Sequence, residues 1–331
     1  MYYSSVRYFY NGSNGPAGSR YVRPLKGLKQ WVVEKCFTFI QGYERILEAK
    51  FPKAFRVYQV FSVGSKTLYY DVKEYMRISS SLSSGMSVRD LQRKELEVYF
   101  QVPKDLTKVA PVLLLSALPF ANYAILPVIY LFPRQSLSSQ FWSLQQKSEF
   151  AVEHLKKRLH HHRPIFRHLQ RNLHNIENIT LRESAQNVFH KLGSGLNPTT
   201  EEVLSVKPLF SGKPFDIFQM STKHLHSLCR LHSVSWLPGK QWRLWRHAGF
   251  LREMDLAMER EGWQAMTQHE MRNACFVRGL SPVGLSKEEM ITWLNQWIEV
   301  TKNCDHSSLS LVLHCPLFLS YNSPSNWVLI H

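Results

Sequence analysis

From Val109 to Pro133 the chain reads VAPVLLLSALPFANYAILPVIYLFP, 25 residues without a charge, closed by Lys108 and Arg134. As a helix this run spans roughly 37 Å, enough for a hydrocarbon layer of about 30 Å with some tilt, and it predicts one transmembrane helix. Pro111, Pro119 and Pro127 recur every eight residues. Each withdraws a backbone donor, and the carbonyls so freed need partners that lipid cannot supply. Asn122 and Tyr123 sit near the middle, where an amide usually faces another helix. These five residues are the candidate membrane-packing positions, against other helices or a second copy of the chain. The segment reads either as a kinked helix lining a path or as a plain anchor. The absence of an ionisable group inside it favours the anchor. Its length also admits a buried helix of a soluble protein.

The pattern before this segment is amphipathic. In Leu25 to Phe51, Leu28, Trp31, Val32, Phe39, Tyr43, Ile46 and Leu47 recur at near-helical spacing until Pro52. Lys53 to Ser84 continues the theme, with a bend expected at Gly64 and a break at SSSLSSG (79–85). Ser87, with Asp90 at the capping-box position, predicts a short helix over 88–102. Phe55, Tyr58, Phe61, Tyr69 and Tyr70 form an aromatic stripe that reads as a packing face, or as a face laid on a membrane surface.

After the segment, Ser143 to Leu159 reads as a helix running into KKRLHHHRP (156–164), and Pro164 opens another. Thr180 with Glu183, Thr199 with Glu202, Thr267 with Glu270 and Ser286 with Glu289 fit capping boxes. Gly and Pro breaks separate them and few runs alternate with period two, so an all-α fold with a C-terminal helical bundle is expected. Residues 267–300 predict a helix closing at Gly279, a short extended link and a second capped helix. Such a unit keeps nucleic-acid or chromatin binding open. The apolar run 307–320 is too short for a second span and reads as a docking helix.

Charge sharpens the picture. The chain has 331 residues and a net charge of +16, spread over both sides of the segment. Anionic lipid and RNA are the partners this suits. Residues 1–33 hold Arg7, Arg20, Arg23, Lys26 and Lys29 and no acid, the composition of a mitochondrial import sequence or of a basic tail. Lys156, Lys157, Arg158, Arg163, Arg272 and Arg278 are the candidate phosphate contacts.

The five cysteines form no CxxC pair, so neither a disulfide framework nor a usual zinc module is expected. His226, Cys229 and His232, and Cys304, His306, His314 and Cys315, cluster in sequence but read as half-buried thiols and surface imidazoles. No metal or cofactor is assigned. No phosphate loop, GxSxG elbow, HExxH or EF-hand is present, and neither a catalytic residue nor a small-molecule substrate is evident.

Two stretches taken together resemble the mitochondrial LETM family. PFANYAILPVIYLFPRQ (119–135) is similar to its membrane segment, with PF and LFP landmarks. LAMEREGWQAMTQHEMRNACFVRGL and WLNQWIEV (within 256–300), followed by the Leu-rich 309–319, resemble the end of its ribosome-binding-like domain. The resemblance covers about residues 105–331. It implies an inner-membrane protein with one span (105–133) and a helical domain (141–331) in the matrix; the amphipathic region read from the residue pattern (34–104) precedes them. Larger relatives are tied to cation/proton exchange, organelle volume, cristae shape and mitochondrial ribosomes. This chain departs from them where Asn122 replaces an acid and Tyr130 a lysine, and it lacks their coiled-coil tail and calcium loop. Proton-coupled transport through the segment is therefore poorly supported. A non-enzymatic tether for mitochondrial ribosomes or RNA is the expectation, with cation/proton exchange and DNA association as alternatives. The local Lys/Arg count, five in 89–108 against two in 134–153, would put the N-terminal side in the matrix; the resemblance puts the C-terminal domain there and is followed.

Overall fold

A computed structural model of the chain describes residues 52–116 and 132–330. The chain divides into two units, residues 1–59 and 60–331. Of the first, the opening turns of α1 are described; the import-like 1–33, the helix expected over 25–51, and Cys36 lie outside the described residues. The architecture is all-α. Thirteen α-helices are described, joined by short 3₁₀ turns, and no strand occurs among the described residues.

α1 (Pro52–Ser83) starts with proline at its first position, where a missing N–H costs nothing. It runs through most of the serine tract that was expected to break it. Ser81, Ser83 and Ser84 donate their hydroxyls to the carbonyls four residues back, which lets serine continue the last turns. Gly64 lies mid-helix and makes a close approach: a Cβ there would stand 2.7 Å from Phe141 Cδ1 and 2.8 Å from the Gln140 carbonyl. Tyr69 and Tyr70 are exposed, so this end of the aromatic stripe is no packing face; Leu68 and Ile78 are buried instead.

Ser87 and Asp90 do form a capping box, but it closes one 3₁₀ turn, 88–90. The next helix, α2 (Arg93–Ser116), starts later than expected and runs past Pro103 and Pro111 into the apolar segment. Its start is tied down by the buried Arg93, which donates to Glu270 at 3.0 Å, and by Arg260, which donates to the Arg89 and Leu91 carbonyls. Ile78, Leu91, Leu96 and Ala257 pack behind it.

Residues 117–131, with Pro119, Asn122, Tyr123 and Pro127, lie outside the described residues; Pro111 is exposed on α2. Among the described residues no helix is long and apolar enough to cross a membrane. The flanks of the apolar segment lie side by side. α2 packs on α3 (Pro133–Ser136), and Val109 shares one cluster with Leu68, Leu137 and Phe141. Gln140 donates to Asp105 at 2.8 Å and to Asp71 at 3.2 Å. One straight crossing would hold its ends about 30 Å apart. The described flanks, by contrast, pack on one another, and most of the expected transmembrane helix falls on 117–131, outside the described residues.

The remaining helices are α4 (Leu144–Leu159), α5 (His162–Arg171), α6 (Ile179–Gly193), α7 (Thr200–Ser205), α8 (Thr222–Leu231), α9 (Lys240–Glu261), α10 (Gln268–Arg278), α11 (Lys287–Lys302), α12 (Leu309–Ser320) and α13 (Pro324–Ile330). Capping boxes start α7, α10 and α11 as expected, and Ser143 with Gln146 adds one at α4. Thr180 does not cap α6. Asn178 does, and the Thr180 hydroxyl donates to the Asn178 side chain, because an Asn side chain two residues earlier already reaches the free N–H groups.

α12 is not a surface docking helix. All of its residues are buried, with α5, α9 and α11 packed round it. Its polar atoms are satisfied inside: Ser310 donates to the Phe215 carbonyl, and Ser320 to those of Gly279 and Pro316. Gly279 closes α10 at φ 94°, a left-handed conformation, and a Cβ there would stand 3.1 Å from Pro316 Cβ. Glycine is thus needed twice, for the turn and for the approach to α12.

Candidate functional site

Between Glu153 and Glu177 the chain holds six Lys/Arg, six His and no acid. Folding sorts them by helix face. On α5, His162, Ile165, Phe166 and Leu169 are buried, while Arg163, Arg167 and Arg171 are exposed. Spacings of four residues set these three guanidinium groups in one stripe, about 6 Å apart along the axis. No ion pair among the described residues involves them. α8, packed beside α5, carries no acid and adds exposed Lys223 and Arg230. The shared positive field shows in the imidazoles beneath. Burial lowers His168, and Arg171 and Lys223 lower it further; His161 is lowered by burial and then by Arg230. A cavity of about 730 Å³ adjoins this face, lined by His168, Lys223 and Lys240 and by the half-exposed Trp236. Cations at helical spacing beside an open aromatic ring suit a phosphate backbone with unstacked bases.

The sequence candidates divide. Arg163 belongs to the stripe, and Lys156 and Lys157 are exposed just before it, Lys157 paired with Glu153 at 2.6 Å. Arg158 is no phosphate contact. It is buried, and its guanidinium donates to the carbonyls of Leu231, Phe276 and Val277, which end α8 and α10. Those carbonyls lie in the last turns, beyond reach of an i+4 N–H or, for Phe276, shared with the Gly279 N–H, and carry the negative end of the helix dipole. Burial pushes Arg158 down to about 10.

Arg278 is also internal. It pairs with the fully buried Asp255, its Nε donating at 2.8 Å, and Trp297 Nε1 donates to the other carboxylate oxygen at 2.9 Å. The arginine and glycine of ACFVRG therefore hold the fold together. Arg272 is exposed on α10 and faces a second cavity, of about 770 Å³, together with Lys108, Arg134 and Lys147. The extended link of the 267–300 unit is internal: Leu280, Ser281 and Pro282 are buried, and the Ser281 N–H donates to Asn326. Reading the basic knot as a run missed Arg167 and Arg171; the i, i+4, i+8 spacing was the available signal.

The histidine and cysteine clusters are scattered. Cys229, Cys275, Cys304 and Cys315 are buried free thiols. His232 and His314 are buried as well, not surface imidazoles. His232 Nε2 donates to the Leu313 carbonyl, and His226 stands beside Trp236. His306 is exposed near Trp245.

A family model described as LETM1-like, RBD matches residues 91–318. The chain is 30% identical over 301 residues to LETM1 domain-containing protein 1 of Xenopus tropicalis, covering 90% of this chain and 86% of that one. It is 28% identical over 247 residues to LETM1 domain-containing protein mdm28, mitochondrial, of Schizosaccharomyces pombe, covering 71% and 51%. To the mitochondrial proton/calcium exchanger protein of Drosophila melanogaster it is 23% identical over 269 residues, covering 78% and 26%. The match begins at Leu91, so α2 with its Arg93 anchor falls inside it.

Proposed function

The chain belongs to the LETM1-like family, and from that membership we propose a non-enzymatic protein of the mitochondrial inner membrane that tethers mitochondrial ribosomes or their RNA. Its helical unit stands in the matrix and supports mitochondrial structure and function from there. The mitochondrial names of two relatives support the compartment. The observation that carries the tether is the acid-free stripe of Arg163, Arg167 and Arg171 on α5, flanked by Lys223 and Arg230. Exchange, named for the Drosophila relative, is the weaker reading, because residues 109–133 contain no Asp, Glu, His, Lys or Arg to carry a proton. Nucleic-acid contact through the 267–300 unit is weaker too, since Arg278 is engaged inside.

Three cations on phosphates set the salt dependence. On single strands or duplex the slope is about −2 to −3, so affinity falls roughly 20- to 40-fold from 50 to 200 mM salt. Co-sedimentation of the detergent-solubilised chain with mitochondrial ribosomes measures it. The triple variant Arg163→Gln, Arg167→Gln, Arg171→Gln should lose both the binding and the slope while keeping its thermal midpoint. Ribosome binding that is salt-insensitive, or unchanged in the triple variant, rules the tether out.

A further inference from the structure

We propose that the cavity between α2, α3, α4 and α10 binds the phosphodiester headgroup of an anionic phospholipid. The proposal rests on reading residues 109–133 as embedded in a membrane. Lys108, Arg134, Lys147 and Arg272 line this space of about 770 Å³, and no carboxylate lines it. Arg134 is paired with Glu153 at 2.7 Å, just outside. No ion pair among the described residues involves the other three. The Lys108 ammonium lies 4.7 Å from the centre of the Trp142 ring, and Arg134 lies 5.9 Å from that of Phe150. Phe276, Pro282 and Val283 complete an apolar wall. Cations backed by aromatic rings in a space this size suit a charged headgroup with the start of its acyl chains.

The position favours lipid as the source of the phosphate. Lys108 and Arg134 are the two residues that bracket the uncharged segment, and both open onto this one cavity. Beyond them along the chain, toward the uncharged segment, Leu114, Leu115 and Phe132 are exposed apolar side chains. From Lys108 to Leu114 the helix climbs about 9 Å. With Leu114 about 2–4 Å inside the hydrocarbon, Lys108 and the cavity fall within the headgroup layer, which is about 5–7 Å thick on each face of a bilayer. Basic pockets at that level collect anionic headgroups. Burial lowers Lys108, the nearby Asp105 raising it and Arg134 lowering it again, so a phosphate there would stabilise a partly dehydrated cation.

The test uses the full chain in a zwitterionic detergent. It is titrated by calorimetry with short-chain phosphatidylglycerol, with phosphatidylcholine of the same chain length, and with inorganic phosphate. Phosphatidylglycerol should bind saturably and phosphatidylcholine should not. Lys147→Gln and Arg272→Gln, which touch no core contact, should each weaken it about ten- to hundredfold, the value of one charge-assisted hydrogen bond. Lys213→Gln, at an exposed lysine that lines no part of the cavity, should leave it unchanged. Equal binding of both lipids, or no effect of the two cavity variants, overturns the site. Inorganic phosphate binding as tightly as the lipid overturns the lipid source. Alkaline carbonate extraction of native membranes tests the embedding separately: a chain that resists extraction yet binds no phosphatidylglycerol loses the cavity proposal alone.

Discussion

Removing the carboxylate of Asp255 separates the two roles open to Arg278. Asp255 is fully buried and accepts from three donors, Arg278 Nε at 2.8 Å, Arg278 Nη2, and Trp297 Nε1 at 2.9 Å. In Asp255→Leu the guanidinium keeps one oxygen acceptor, the Ala274 carbonyl at 3.0 Å, and the Trp297 indole N–H loses the carboxylate it donates to. Breaking a buried pair from one side costs about 3–5 kcal/mol, because the remaining charge stays desolvated. Arg278→Met should cost a similar amount. The double variant Asp255→Leu, Arg278→Met removes both charges, leaving chiefly the unpaired indole N–H at about 1–3 kcal/mol. The single costs sum to roughly 6–10 kcal/mol, so the coupling energy should exceed about 3 kcal/mol. At about 2–4 °C per kcal/mol for a unit of this size, each single variant should melt roughly 6–20 °C lower. Circular dichroism of the solubilised full chain reads this directly. The loss should be nearly independent of salt, since buried pairs are little screened. Single variants costing under about 1 kcal/mol, or simple additivity in the double variant, would refute the ion pair as a support of the fold. So would an Arg278→Met chain that keeps its melting point but loses ribosome binding.

Two further outcomes are expected. Acid should destabilise the unit well above the carboxylate range. Burial holds His162 and His232 down to about 3 and His314 down to about 4, and all three are neutral in the fold. The geometry agrees: His314 Nδ1 donates to the Ser310 carbonyl, so its Nε2 must accept from His224 Nε2, 3.0 Å away, and a proton on His314 would set two donors face to face. Because these pKa values are lowered on folding, the unfolded chain binds protons first, and stability falls as pH drops below about 6.5. Over the first pH unit the loss is about 1 kcal/mol per histidine, roughly 3 kcal/mol for the three. Urea titrations at pH 7.5, 6.5 and 5.5 check it, and a flat profile contradicts the neutral burial. The second outcome concerns topology. Single cysteines at Ser65 and Lys302, on the two sides of the apolar segment and both exposed, should gain or lose access to an impermeant maleimide together as the outer and then the inner membrane are opened. Opposite accessibility would place the two positions on either side of a single crossing.

What could be read from the chain was local. Capping boxes at Thr199, Thr267 and Ser286 were legible because a hydroxyl and a carboxylate three residues apart meet within one turn, whatever surrounds them. The all-α class followed from the same short-range periodicity, and the family from the ACFVRG and LFP stretches. The roles of charged residues were not legible. Arg158 and Arg163 stand five positions apart in one basic knot, yet one is sealed against the ends of α8 and α10 and the other faces water. Which face of a helix is covered depends on partners far along the chain: Leu231 and Phe276 for Arg158, Asp255 for Arg278. The same holds for the apolar segment, whose composition sets its affinity for lipid. That its flanks stand together depends on Asp105, Gln140 and Val109 meeting Leu137, contacts that no spacing within the segment encodes. Sequence determines what each turn of helix can bury or bond; only packing across tens of residues decides which of its charges remain free to act.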